Sequence, residues 1–327
     1  MNSDTKTRFV LIGGFLGAGK TTLIGELARR YVAEGKRVGI ITNDQATDLV
    51  DTYALKAQGF RVGEVPGACF CCNFNQLMAT LAELALDNVP DLVLAEPVGS
   101  CADLVATVIE PIQALHGDLY EVGPLAVLLK PEHGRKILRR EQKAGFSAKA
   151  AYIFLKQIEE ADVVALNKVD KLSPAQRDEL MQLARQEFPG KTVIAISARD
   201  GDGFEQLVSH LDQPAPSGRT RMEVDYNTYA EGEAELGWLN CHLTASRPGK
   251  PFSLDGLVGQ IVSALAARLN AEQAETAHLK ILAQHEEGVS IGNSVAAGTD
   301  IELSREANVD VPEAQVILNA RVATDPE

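Results

Sequence analysis

The sequence predicts an α/β fold, a mostly parallel sheet flanked by helices, with a smaller α+β domain after it. Three observations lead there. Over the first 212 residues, short apolar runs alternate with longer stretches whose apolar residues recur every three or four positions. Strands buried on both faces and joined by helical crossovers produce that pattern. A glycine-rich segment directly follows the first run and leads into a helical stretch. A short region rich in proline and glycine then precedes a tail in which one helical pattern is surrounded by strand-like runs.

The elements follow in order. Strands are expected at residues 9–13, 38–42, 92–95, 125–129, 163–166 and 192–196. Helical faces are expected from Leu23, Ile24, Leu27 and Tyr31, from Leu77, Leu81 and Leu84, and from Leu180, Leu183 and Phe188. Residues 213–219 (QPAPSGR) carry two prolines, a glycine and no apolar period, so they read as a linker between a domain at 1–212 and another at 220–327. Beyond it, Leu254, Leu257, Ile261, Leu265 and Leu269 predict a helix, and residues 278–282, 289–291, 301–303 and 316–322 predict strands. From Met222 through Asn240 no second-domain pattern is evident; Tyr226, Tyr229 and Trp238 there read as core packing in preference to a partner surface.

Composition narrows the function. The 327 residues carry 31 Lys and Arg against 45 Asp and Glu, a net charge of −14. Phosphate backbones are met by a basic excess, so nucleic acid is not an expected partner. No apolar stretch approaches the ~18 residues that span a membrane. Lys6 and Arg8 before the uncharged run 9–19 have the outline of a secretory leader, but four of those eleven residues are glycine and Asp4 sits among the basic ones. The run reads as strand and loop instead. Five cysteines are too few for a disulfide scaffold, and three of them crowd into four positions. In a reducing compartment such crowding suggests metal or redox chemistry, and cytoplasm is the expected location.

Gly14, Gly19, Lys20 and Thr21 fit the spacing G-x-x-x-x-G-K-[ST], with Gly17 inside it and Thr22 after it, between a strand and an amphipathic helix. A glycine-rich turn leaves backbone N–H groups free to surround phosphates, and the helix points its positive end at them. Lys20 would reach the β and γ phosphates and the Thr21 hydroxyl would ligate Mg²⁺, which makes the first domain a P-loop NTPase. Asn167, Lys168 and Asp170 (NKVD) follow the strand 163–166, at the sheet edge where such folds bind ligands. A carboxylate there accepts from the N1–H and exocyclic amine of guanine, a donor pair that adenine lacks. Ser197 and Ala198 end the next strand, placed to offer backbone N–H to the guanine O6. GTP, with GDP as product, is therefore expected over ATP.

After the strand 92–95 come Glu96, Pro97, Val98 and Gly99, where most small GTPases carry Asp-x-x-Gly. With these motifs the sequence resembles the family of metallochaperone-type P-loop GTPases, which includes CobW-like, urease-accessory, hydrogenase-accessory and corrinoid-mutase-chaperone groups. The resemblance implies that Glu96 acts through Mg²⁺ or its water and that the Gly99 N–H senses the γ phosphate, so that Lys20, Glu96 and Gly99 form the catalytic set. It also covers Asn43 and Asp44, matching the first switch, Asp51 eight residues after Asn43, and Gln157, Ala161 and Asp162. Asp44 is implied as a further Mg²⁺ contact. Two positions depart from the family: Thr47 stands for a switch glutamate, and the strand 125–129 leads into Lys130, Pro131 and Glu132 instead of an aspartate. Ser100 stands where some GTPases place a water-orienting glutamine, so slow unaided hydrolysis is expected.

Cys69, Cys71 and Cys72 form C-x-C-C after Pro66 and Gly67, by resemblance the hallmark of the CobW-like branch. On an extended chain residues 69 and 71 face one side and 72 the other, so the sulfurs converge only if the chain turns at the third. Asn73 reads as the cap of the following helix, which would put the thiols near a helix amino end, where thiolates are favoured. Three thiolates at ~2.3 Å suit Zn²⁺ or another borderline-soft transition metal and leave a tetrahedral position open for transfer. Asp44, Cys101 and water are the candidates for the fourth ligand. Taken singly, Cys101 and Cys241 read as core. The expected function is a GTP-binding and GTP-hydrolysing metallochaperone that delivers metal to a client metalloprotein, with room for a homodimer. The alternative is a GTPase switch that gates cofactor loading of a corrinoid or other metalloenzyme and carries no metal cargo.

Overall fold

A computed structural model of the chain describes residues 6–44, 50–67, 69–141, 146–219, 221–294 and 301–323, with the side chain of Asp44 excepted. The chain divides into two compact units, Met1–Thr47 with Leu55–Tyr229, and Asp48–Ala54 with Ala230–Glu327. The first unit holds β1 (Thr7–Gly14), β2 (Val38–Asp44), β3 (Arg61–Pro66), β4 (Leu92–Glu96), β5 (Tyr120–Val122), β6 (Ala126–Leu129), β7 (Val163–Leu166) and β8 (Thr192–Ala195). They pair in parallel in the order β3-β2-β4-β1-β6-β7-β8, with β5 alongside β1. The chain leaves β1 toward one edge early and the other edge late. The order therefore reverses beside β1, and the carboxyl ends there open the crevice in which such sheets bind ligands.

The six expected strands are present; β1, β4, β6 and β7 are buried on both faces or nearly so, while β8 begins with the exposed Thr192. β3 and β5 are additional to them. β3 lies at the sheet edge and is largely exposed or half-buried, and β5 has three residues, so neither makes an apolar run. The helices are α1 (Lys20–Ala33), α2 (Val50–Lys56), α3 (Phe74–Ala85), α4 (Glu110–His116), α5 (Pro131–Leu138), α6 (Ala148–Glu160), α7 (Pro174–Glu187) and α8 (Phe204–Leu211). α1 buries Leu23, Ile24, Leu27 and Tyr31 in the core formed with Val10, Ile12 and Leu128. α3 buries Leu77, Leu81 and Leu84, the face read from their spacing.

The division of the chain falls after Tyr229, later than the 213–219 stretch. Charged side chains hold that stretch to the first unit. The Arg219 Nε lies 3.0 Å from Asp162 Oδ2, Arg219 also donates to the Gly123 carbonyl at 3.0 Å, and both members of the ion pair are buried. Farther on, Tyr229 donates to the Ser100 carbonyl at 3.1 Å and Tyr226 to Asp103. Proline and glycine shape the path, but buried ion pairing decides where the chain stays.

The second unit is assembled from α9 (Tyr226–Ala234), β9 (Leu236–Ser246), β10 (Phe252–Ser253), α10 (Leu254–Ala271), β11 (Glu275–His285), β12 (Gly288–Ser294), β13 (Glu302–Arg305), β14 (Asp310–Val311) and β15 (Glu313–Ala323). An antiparallel sheet runs β13-β12-β11-β15-β9. α10 packs Leu254, Val258 and Val262 among Leu279, Ile281, Val316 and Leu318. The segment before residue 55 joins this unit: Val50 is buried with Leu282, Ile291 and Ile317, its N–H donates to Asn319 Oδ1 at 3.1 Å, and Asp51 pairs with Lys280 at 2.5 Å. Tyr226, Tyr229 and Trp238 are not core residues. Tyr226 is 58% exposed, the other two are half-buried, and the Trp238 ring carries the Arg321 guanidinium 3.7 Å from its centroid. Each ring has a polar partner: Asp103 for Tyr226, the Ser100 carbonyl for Tyr229 and Arg321 for Trp238. Among the described residues no helix is long and apolar enough to cross a membrane.

Candidate functional site

β1 ends at Gly14 and α1 begins at Lys20, so the loop between them sits at the carboxyl edge of the sheet against a helix amino end. Gly14 has φ +132°, and a Cβ there would lie 2.7 Å from the Leu128 carbonyl oxygen. At Gly19 φ is +94° and a Cβ would meet Asn167 Nδ2 at 2.5 Å. Neither position admits a side chain. The buried Lys20 donates to the Gly14 carbonyl at 3.0 Å and lies 3.9 Å from Glu96 Oε1. That carboxylate oxygen also accepts from the Thr21 hydroxyl at 3.0 Å. Gly99 adjoins them, since a Cβ on it would lie 3.0 Å from Lys20 Nζ. The structure thus brings Lys20, Thr21, Glu96 and Gly99 together, while Thr22 is exposed. A cation, a hydroxyl and a carboxylate converging on a glycine cradle fit a phosphate chain with its Mg²⁺.

The base end is held by side chains that reach backbone. Asn167 donates to the Ala18 carbonyl at 2.8 Å and accepts from the Ala198 N–H at 2.9 Å, tying the phosphate loop to the segment after β8. Lys168 has φ +61° and reaches back to the Gly17 carbonyl at 2.9 Å. Asp170 Oδ1 accepts from the Ser197 hydroxyl at 2.8 Å, and that hydroxyl accepts from the Asp200 N–H at 3.1 Å. All five residues expected there converge, with Asp170 as the carboxylate that could meet a base. The departure at residues 130–132 also lands here: burial alone would raise the Glu132 carboxyl, but Lys168 and Lys130 hold it below the usual range. Thr47 and the Asp44 side chain lie outside the described residues.

The cysteine loop joins β3 to α3. The N–H groups of Cys72 and Asn73 donate to the Cys69 carbonyl at 3.0 and 2.9 Å, so the chain turns over the whole cluster and not at its third residue alone. The sulfurs of Cys69 and Cys71 are 2.6 Å apart, those of Cys69 and Cys72 3.0 Å, and those of Cys71 and Cys72 3.8 Å. Thiolates at ~2.3 Å from a tetrahedral ion would stand about 3.8 Å apart. One pair has that spacing, and Cys69 would reach it by a small outward shift. Asn73 precedes α3 as expected, but its side chain makes no cap bond; its carbonyl accepts from Gln76 and Leu77.

Residues 8–195 fit a family model described as the CobW/HypB/UreG nucleotide-binding domain. The chain belongs to this family. It is 29% identical over 204 residues to the zinc chaperone YeiR of Escherichia coli (strain K12), covering 60% of this chain and 57% of that protein. To the zinc chaperone CobW of Sinorhizobium sp it is 27% identical over 268 residues, covering 69% and 72%. To the urease accessory protein UreG of Metallosphaera sedula it is 27% identical over 228 residues, covering 61% and 90%. The chain spans less than two thirds of YeiR. Among solved structures it is similar to Zn(II)-bound YjiA GTPase from E. coli, with 14% identity, a TM-score of 0.42 and coverage of 98% and 95%. It is also similar to HypB from Helicobacter pylori in complex with nickel, with 17% identity, a TM-score of 0.44 and coverage of 63% and 85%.

Within this CobW/HypB/UreG domain, Asn43 organises the cysteine loop. It donates to the Val65 carbonyl and accepts from the Phe70 N–H, both at 2.8 Å, fastening the loop to the end of β2. Cys101 is buried in the segment after β4, and the sulfurs that could share one ion are those of Cys69, Cys71 and Cys72. Hydrogen bonding from Cys101, then from Cys71, holds the Cys69 thiol far below the usual range. For Cys71 the bond to Cys101 works downward, but Cys69 and burial outweigh it and push the group up; Cys72 and Cys101 are pushed up chiefly by Cys69. Among these thiols Cys69 is the one favoured as thiolate, while its neighbours are pushed up. Cys241, in β9, packs at the margin of the second unit's core, with no part in the cluster.

Proposed function

We propose that this chain is a GTP-dependent metallochaperone that holds Zn²⁺ or another thiophilic ion at Cys69, Cys71 and Cys72 and passes it to a client metalloprotein. The observation that carries this reading is the convergence of three sulfurs within 3.8 Å on a loop that Asn43 ties to the sheet. The naming of YeiR and CobW as zinc chaperones supports the choice of ion. Gly14, Gly17, Gly19, Lys20 and Thr22 would line the triphosphate, and Thr21, Glu96 and Asp44 would hold Mg²⁺ directly or through water. Bound Mg²⁺ neutralises charge on the β and γ phosphates. Asp170 would select guanine, with Asn167, Lys168, Ser197 and Ala198 keeping it in place. Gly99 would register the γ phosphate, and with Ser100 in the place of a water-orienting side chain the unaided reaction would be slow.

The cysteines lie in the chain between the end of β2 and the Glu96 motif, so ordering either by the γ phosphate would move the ligands. Co²⁺ affinity measured with GDP and with a non-hydrolysable GTP analogue tests this. A difference between the two is expected; equal affinities would sink the coupling, because a nucleotide indifferent to the metal-bound state shifts nothing. Replacing Cys71 and Cys72 by Ser is expected to abolish metal transfer and spare GTP binding. Client-stimulated hydrolysis that survived without any metal binding by the wild type would favour the gating switch instead.

A further inference from the structure

The two edges of the antiparallel sheet in the second unit are built differently. β13 has four residues, carries Glu302 and Arg305, and meets β12 through an irregular register. Shortness, charge and irregularity keep a strand edge from pairing with another chain. β9 has none of them. It runs for 11 residues, LGWLNCHLTAS, without a proline, a carboxylate, a lysine or an arginine, and its register with β15 is unbroken from Leu236 to Ser246. Among the described residues β15 is the one strand paired with it. The Arg247 N–H donates to the Pro312 carbonyl at 2.9 Å, continuing that register. Hydrogen-bonding direction alternates along an antiparallel strand. Trp238, Asn240, His242 and Thr244 therefore turn their N–H and C=O groups away from β15, to the open edge.

The geometry points to this edge as an interface between two copies of the chain, in which β9 pairs antiparallel with β9 of a second copy about a two-fold axis at Cys241. The strand is complementary to itself under that rotation. Asn240 exchanges backbone bonds with His242 of the second copy and Trp238 with Thr244, so the open groups satisfy one another. Leu239 falls opposite Leu243. Both are large apolar side chains left exposed in the single chain, at 51% and 47%, on the face whose Cys241 and Ala245 pack toward the core under α10. Immediately outside the uncharged run stand Glu235 on one side and Arg247 on the other, and the rotation sets each opposite its counterpart. Opposite charges across paired strands stabilise, and like charges destabilise. A slip of one residue would set outward backbone groups against inward ones, and a slip of two would part Glu235 from Arg247. Charge matching at both ends of one strand selects a second copy over a foreign strand, because a two-fold interface must complement itself. The surface shares no residue with the nucleotide or cysteine sites.

The test is sedimentation equilibrium of the full chain, freed of divalent metal by a chelator and without added nucleotide. One strand pair is a small interface, so reversible dimerisation with a Kd on the order of 1–100 μM is expected. Arg247→Glu, which faces Glu235 of the second copy, should weaken it by ~10-fold. Glu235→Lys should do the same, and an equimolar mixture of the two single variants should recover the dimer, because every facing pair then has opposite signs. In the wild type, diamide should link Cys241 to Cys241 of the second copy, read by peptide mass; each thiol gives up its hydrogen to the diamide as the S–S bond forms. Facing residues of a non-hydrogen-bonded pair have Cα atoms about 4.5 Å apart, within reach of a disulfide. A single-chain mass up to about 1 mM overturns the proposal. A dimer indifferent to both charge variants, or one whose oxidation leaves Cys241 unlinked, overturns it as well, since the copies then meet elsewhere. A mixture that stays monomeric removes the axis from Cys241. The linkage is read on the wild type, so it decides the matter even if a variant fails to fold.

Discussion

The guanine end and the cysteine end of the first unit are fixed by different means. At the guanine end, Asn167 and Lys168 each reach a carbonyl of the phosphate loop, and Asp170 is braced by a serine hydroxyl that itself accepts a backbone N–H. At the cysteine end the sulfurs lie against one another at spacings from 2.6 to 3.8 Å. Thiols are weak donors and weak acceptors, so the turn and the single clamp at Asn43 carry most of the positioning. The first site is complete before its ligand arrives. The second is gathered by the fold, and the charge of an ion would finish its geometry. On the proposed function, the first site would have to tell guanine from adenine and would gain from rigidity, whereas the second would have to give its ion away and would not.

That contrast is broken most sharply at Asp170. Asp170→Asn removes the acceptor pair for guanine, and titration calorimetry is expected to show GTP affinity lower by ~100-fold or more. The new amide can donate to a C2 carbonyl, so xanthosine triphosphate should bind the variant better than it binds the wild type. Unchanged GTP affinity would remove Asp170 from the base contact. Asn43→Ala probes the other end and is expected to do less. It strips the buried Phe70 N–H of its acceptor, a cost of ~1–3 kcal/mol in a melting experiment. Co²⁺ affinity should drop by ~10–100-fold, the usual effect of losing a group that orients ligands, while GTP affinity holds. A parallel loss of both affinities would mean that the two ends are not separately built.

The same contrast explains what could be read from the sequence. The convergence of the proposed nucleotide-site residues was legible because each of them lies in a local motif at a strand end, and the strands behind them are buried runs with a plain signature. β3 stayed hidden because an edge strand needs no apolar face. Cys101 read singly as core and otherwise as one of three candidates for a fourth ligand, because nothing within its own segment marks it; it is buried. Residues 213–219 read as a linker from their prolines, whereas the Arg219 to Asp162 ion pair that holds them is a contact across the fold. The membership of Asp48–Ala54 in the second unit, through Val50 and Asp51, is equally non-local. Local pattern announces chemistry that a short loop can perform alone. It is silent about partners supplied by another strand.

The smallest expected effect lies at the far anchor of the Cys101 segment. Glu160 accepts from the Val105 N–H at 3.2 Å, and burial pushes its carboxyl up to about 8, with the Asp103 charge adding to the rise and the backbone bonds from Val105 and Leu104 opposing it. Because the folded value lies above the ordinary 4.5, the folded state binds the proton more tightly. The stability so gained is fully present below the unfolded value, declines as pH rises, and is gone above about 8. Glu160→Gln keeps an oxygen for the Val105 N–H and removes the ionisation. The wild type should therefore lose on the order of 1–3 kcal/mol relative to this variant on going from about pH 5 to about pH 8, read from denaturant melts at each pH. Parallel pH profiles would show that Glu160 ionises at no cost to the fold. At a fixed pH the variant's Co²⁺ affinity is expected to equal that of the wild type, since Gln157 and not Glu160 grips the residues at Gly99 and Cys101. A changed affinity would extend the cysteine site's support to the base of α6, and make it as broadly anchored as the guanine end.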